Sequence, residues 1–183
     1  MSVEAANPDI HSGYPCWLEE RLRHGGRSLT VRAIRPTDGP MHKQFMSQIE
    51  PHDLYLRFLT GVRELSDEEL HRFVHIDYDR EMALVAVTED GAGDEQILAL
   101  ARMYADSDRS AAEFAVLVRS DLKSQGLGTL LMRKLISYCR SRGLKRLWGS
   151  VLSENEAMLR LGRSLGFKVT RTDRNVEELA LEL

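Results

Sequence analysis

Apolar and polar residues alternate from Ser28 to Ile34, with Leu29, Val31 and Ala33 interleaved by Thr30 and Arg32, a period of two that predicts a half-buried strand. Before it, a leader from Met1 to Gly13 of small and polar residues precedes a short helix predicted around Trp17 to Arg23. From Pro40 to Phe58, Met41, Phe45, Ile49, Leu54 and Phe58 follow helical spacing, and Pro51 divides the stretch into two short helices. Ser66 and Glu69 form a capping box that opens a third. Strands predicted from Met82 to Thr88, Gln96 to Met103 and Ala111 to Val118 are separated by turn clusters at Asp90-Gly91-Ala92-Gly93 and Asp106-Ser107-Asp108, an antiparallel meander. From Gly128 to Arg142, Leu131, Leu135 and Tyr138 share one helix face, and Gly143 supplies the left-handed residue at its end. A strand from Arg146 to Leu152, a helix capped by Ser153 with Glu156 and closed by Gly166, and two last strands complete an α+β order.

The length of 183 residues suits one core, assigned to residues 14–183. With 43% hydrophobic and 29% charged residues, the composition is that of a folded globular chain. A net charge of −3 argues against a protein that neutralises nucleic-acid phosphates. Cys16 and Cys139 lie far apart with no metal-binding spacing, and no stretch approaches the roughly 18 apolar residues of a membrane span. The expectation is a cytoplasmic chain with no metal, membrane or nucleic-acid partner, acting as monomer or homodimer.

Candidate chemistry gathers after the third meander strand. The run Lys123, Ser124, Gln125, Gly126, Leu127, Gly128 joins a strand to the most regular helix, and glycines there let backbone N–H groups close on a phosphate beside the positive helix end. A turn without a ligand uses the same residues. A P-loop is excluded because Thr129 and Leu130 follow Gly128 where lysine and serine or threonine are required. A dinucleotide fingerprint fails because Leu131 stands at the third glycine position.

Ala112-Glu113-Phe114-Ala115-Val116, then Lys123-x-x-Gly126-x-Gly128, then Asn155-x-x-Met158 through Gly166-Phe167, resemble in order and separation the motifs of GNAT acyltransferases. Lys123 stands where the family usually has Arg or Gln. The resemblance implies a mixed, mostly antiparallel sheet of six to seven strands flanked by four to five helices, and acetyl-CoA as acyl donor. It implies pantetheine pairing along Val116, Leu117 and Val118, an oxyanion donor near Val116, and pyrophosphate on N–H groups from Ser124 to Thr129. Asn155 and Met158 would adjoin the pantetheine, although an asparagine at a helix start is also an ordinary cap. Ile76 to Leu84, with Tyr55-x-Arg57-Phe58 and Ile34-Arg35-Pro36, resembles the acetyltransferase domain of bacterial Pat-type protein lysine acetyltransferases, whose targets include AMP-forming acyl-CoA synthetases. The resemblance thus implies acetylation of protein lysines; a small amine as acceptor, or an acyl-CoA sensor without turnover, are the alternatives.

Acyl transfer to an amine requires a neutral nitrogen, so a base must take a proton from the ammonium. Glu113 stands in the family position for that base, in an otherwise apolar run where burial is expected to tune the carboxylate; a solvent-facing glutamate is the competing reading. Many members carry a tyrosine acid at the position held here by Gly162. His71 and His75 share a helix face without an evident third metal ligand. Arg133, Lys134, Arg140, Arg142, Lys145 and Arg146 could meet a 3′-phosphate or simply face solvent, and Asp77, Asp79 and Glu81 could attract a cationic acceptor or pair within their own loop.

Overall fold

A computed structural model describes residues 13–59, 66–89 and 94–183. The expected leader lies, but for Gly13, outside the described residues, as does the turn expected at Asp90 to Gly93. Among the described residues eight strands form one sheet in the order β1-β2-β3-β4-β5-β6-β8-β7, one more than the upper expectation from sequence. They are β1 (Glu20–His24), β2 (Arg27–Ala33), β3 (Glu81–Glu89), β4 (Glu95–Ala105), β5 (Ala111–Val118), β6 (Arg146–Leu152), β7 (Lys168–Asp173) and β8 (Val176–Glu182). All neighbours are antiparallel except β5 and β6.

The additional strand is β1, where the sequence predicts a helix. Only a 3-10 turn, Cys16–Leu18, forms there. Gly25 and Gly26, with φ of 56° and 81°, make a two-residue hairpin turn that pairs His24 with Arg27 and so continues β2 backwards.

Among the described residues five α-helices cover the two faces: α1 (Gly39–Ser47), α2 (Pro51–Phe58) and α3 (Asp67–Val74) on one, α4 (Leu127–Ser141) and α5 (Glu156–Ser164) on the other. Pro51 starts α2 at its first turn, where no N–H is required. Ser66 and Glu69 form the expected reciprocal cap of α3. The cap of α5 is Asn155 rather than Ser153: its side chain accepts the Met158 N–H at 3.1 Å, because Ser153 is held in the turn after β6 by donating its own N–H to the Asn175 carbonyl. Against α4, Leu131, Met132 and Leu135 pack without exposure on Leu84, Ala101 and Leu147, while Phe45, Ile49 and Val74 seal the opposite face. Among the described residues no helix is long and apolar enough to cross a membrane.

Two of the three stretches of Pat-like character meet at one corner. Tyr78 donates its hydroxyl to the Ile34 carbonyl at 2.5 Å, and Tyr14 stands edge-on to Tyr78. Arg32 forms a two-pronged pair with buried Asp38 at 2.7 and 2.9 Å, and Asp38 also accepts the Arg35 N–H at 2.8 Å. These contacts fix how the chain leaves β2 for α1, so residues 34–38 and Tyr78 build the frame rather than the cleft.

Candidate active site

The cleft originates in the one parallel pairing of the sheet. β5 and β6 are in register at Ala111 with Arg146, Ala112 with Leu147 and Glu113 with Trp148, and there the pairing stops. Beyond it β5 stays with β4 as far as Val118, while β6 stays with β8 as far as Leu152, so the two diverge. Phe114 wedges the opening: its ring covers Gly149, where a Cβ would lie 2.8 Å from the ring, and it packs edge-on against Phe167 at 5.0 Å. Strands that part leave the facing N–H and C=O groups of one edge free to pair with an extended, amide-bearing ligand.

Between the strands lies a cavity of about 520 Å³, large enough for an extended cofactor arm. Of the residues expected to hold the donor, Val116, Leu117, Val118, Lys123, Ser124, Gly126, Leu127, Gly128, Thr129, Asn155 and Met158 line it. Gln125 does not: its carbonyl accepts a hydrogen bond from His24 Nε2 at 2.6 Å, and His24 lies outside that lining as well. The turn is built from left-handed residues, Ser124 at φ 60° and Gly126 at φ 84°, and Gly126 caps α4. A Cβ at Gly128 would make ordinary van der Waals contact with Leu161 at 3.4 Å and Val118 at 3.5 Å across the cleft mouth.

Local sequence carries no sign of what supports this turn. Buried Asp53 of α2 accepts hydrogen bonds from Ser120 Oγ at 2.6 Å and from Lys123 Nζ, and Ser120 Oγ in turn accepts the Glu50 N–H at 2.8 Å. Lys123 is therefore tethered at the cleft wall by a carboxylate 70 residues away.

Glu113 lines the inner end of the cavity, exposed and not buried as the apolar run suggests. Cross-strand register sets it in a row with Glu81, Tyr104 and Trp148 on the face covered by α1 to α3. Arg57 and Phe58 of α2 line the same end, with the Arg57 guanidinium over the Phe58 ring at 5.0 Å. Desolvation lowers the pKa of Arg57 from its usual range; Tyr104 and Glu113 oppose that shift and Arg102 adds to it. Arg102, buried behind, donates to Tyr104 Oη at 2.8 Å and to the Phe73 carbonyl. Arg57 thus joins Glu113 at the cavity, with Tyr104 beside Glu113 on the neighbouring strand, although neither Arg57 nor Tyr104 stands out as a site residue in the sequence.

Other candidates fall elsewhere. At Gly162 the missing side chain is a packing requirement, because a Cβ would sit 2.6 Å from Leu179 Cδ1. His71 and His75 stack face to face at 3.6 Å, and among the described residues no three His, Cys, Asp or Glu side chains converge on a metal position. On α4, Lys134 pairs with Glu20 and Arg142 with Asp79. Arg140 lies fourteen residues beyond Gly126, ~21 Å along the helix, so the far basic residues stand well away from the turn.

A parallel strand pair that parts beside a glycine-capped helix, with a carboxylate at the point of parting, suits an extended, amide-bearing ligand that carries a negative charge. Residues 49–167 match the acetyltransferase (GNAT) family, and the chain belongs to it. It is 31% identical to an acetyltransferase of Pseudomonas aeruginosa over 151 residues, 82% of this chain and 80% of that protein. Among solved structures it is similar to the GNAT domain of Streptomyces lividans PAT, with a TM-score of 0.84 and 26% identity over 93% of this chain and all of that one. A Salmonella typhimurium acetyltransferase solved with acetyl-CoA shares the fold at a TM-score of 0.64, 21% identical over 85% of this chain and 94% of its own. The chain is an N-acetyltransferase that takes its acetyl group from acetyl-CoA.

Proposed function

We propose that this N-acetyltransferase acts on lysine side chains of proteins, with Glu113 as general base. The observation that carries the catalytic part is the place of Glu113: the last residue of β5 paired with β6, with its carboxylate at the inner end of the cleft. The protein acceptor is supported by the likeness to the GNAT domain of PAT along 93% of the chain. Tyr78 and Asp79 do not add to that support through acceptor contacts, since both are engaged within the frame.

In this reading the chain's own groups act in sequence. The free edge of β5 from Val116 to Val118 pairs with the pantetheine amides of the donor, and N–H groups from Ser124 to Thr129 hold its pyrophosphate beside the start of α4. Gln125, turned outward, takes part only through its place in the turn. Lys123, tethered to Asp53, adds positive charge at the rim. The lysine ammonium of the acceptor enters along the row of Glu81, Tyr104 and Glu113, and Glu113 accepts its proton directly or through one water. The neutral nitrogen attacks the thioester carbonyl, and a backbone N–H near Val116 stabilises the oxyanion. As the C–S bond breaks, the sulfur leaves as a thiolate, whose reference pKa of about 8.5 makes departure without a protein acid feasible where Gly162 replaces tyrosine. The second proton of the newly acylated nitrogen passes to that thiolate or to water, leaving the neutral amide. Asn155 caps α5 with its oxygen and keeps its amide nitrogen for the cleft.

An AMP-forming acyl-CoA synthetase from the same cytoplasm is the proposed partner. Intact-mass measurement after incubation of such a synthetase with acetyl-CoA and this enzyme tests the acceptor class, a gain of one acetyl group mapped to a lysine being the expected result. Transfer to free amino acids or polyamines with no gain on the synthetase would move the acceptor to small amines.

A further inference from the structure

The β1–β2 hairpin reaches across to the cleft at one point. His24, its last strand residue before the glycine turn, donates from Nε2 to the Gln125 carbonyl at 2.6 Å, joining segments 101 residues apart. Its ring also lies against Gly126, where a Cβ would be 3.2 Å from Cε1 and 3.3 Å from Nε2. Among the described residues no peptide bond is cis, so the Gly126 N–H points opposite to the Gln125 carbonyl. A carbonyl held outward by His24 therefore turns that N–H inward, towards the cavity that Ser124, Gly126, Leu127 and Gly128 line and Gln125 does not.

We propose that His24 is a positioning residue for donor binding: by fixing the Gln125–Gly126 peptide, it presents the Gly126 N–H to the pyrophosphate of acetyl-CoA. The inference rests on the pyrophosphate lying at the start of α4. Without the imidazole, the peptide can rotate and place its carbonyl oxygen against the anion, replacing attraction by repulsion. A side chain at 126 would be strained by the positive φ and would press on the His24 ring at 3.2 Å. No charge on His24 is required, because a neutral imidazole with its proton on Nε2 also donates to a carbonyl.

The test is the dissociation constant, by calorimetry, of acetyl-CoA and of S-acetylpantetheine, which lacks the pyrophosphate, for the native chain, His24→Ala and His24→Gln. The expected result is a loss of about tenfold in acetyl-CoA affinity for His24→Ala, no change for S-acetylpantetheine, and recovery to within about twofold by His24→Gln, whose amide N–H reaches the same carbonyl. Unchanged melting of both variants by circular dichroism, and loss in His24→Ala of the shift that acetyl-CoA induces in the Gly126 amide resonance, complete the expected pattern. Native-like acetyl-CoA affinity in His24→Ala, or an equal loss for both donors, would overturn the assignment. A native chain that binds the two donors equally well would instead overturn the placement of the pyrophosphate at this turn.

Discussion

Glu113 and Trp148 form the last parallel pair between β5 and β6, and the strands part immediately beyond them. Backbone pairing thus holds the proposed base on a rigid element, while the next residues of the same strand are released to face the donor. Base and donor site are neighbours in sequence because one strand serves both.

The wedge at Phe114 predicts that Gly149→Ala destabilises the fold. The new Cβ would meet the ring at 2.8 Å, and Phe167 on its other side limits how far the ring can move. The expected loss is about 1–3 kcal/mol in urea unfolding. Phe114→Leu in the same background recovers part of it, and a double-mutant cycle measures the coupling.

Asp53 predicts a coupled loss of stability and donor affinity. Its removal leaves the Ser120 hydroxyl and the Lys123 ammonium without their buried acceptor. Asp53→Ala is expected to cost about 1–3 kcal/mol of stability and to weaken acetyl-CoA binding, while Asp53→Asn keeps part of both. Urea denaturation and calorimetry read the two effects.

Burial, assisted by repulsion from Arg102 and opposed by Asp38, lowers the His42 pKa to about 4 from its ordinary 6.5. Its Nδ1 has no hydrogen-bond partner among the described residues. The neutral ring is the folded form, so the unfolded chain binds the extra proton first. This contribution to stability is complete above pH 6.5, is lost as the pH falls from there to about 4, and does not change further below. The total is on the order of 3 kcal/mol, and unfolding at a series of pH values should show that component vanish in His42→Phe.

The elements legible in sequence are those with a buried face and an apolar period of their own. β6 occupies the predicted span, and the meander and α4 differ from prediction only at their ends. β1 is missed because, of its five residues, only Leu22 is apolar, and an edge strand has little to bury; the Gly25-Gly26 pair was the available signal. Alanines hide the exposure of Glu113: Ala111, Ala112 and Ala115 fit either face of a strand, so the run reads as uniformly apolar although Ala112 and Phe114 point to the core and Glu113 does not. The glycine turn is visible from composition, whereas Asp53, Arg57 and His24 reach the cleft only through tertiary packing and leave no local pattern.

The most direct measurement is the single-turnover rate of acetyl transfer to a protein acceptor by the native chain and by Glu113→Gln, at acetyl-CoA concentrations that saturate both. The account predicts equal donor affinity and a rate lower in the variant by about a hundredfold to ten-thousandfold. Equal rates at equal donor occupancy would contradict it and remove Glu113 from the chemistry.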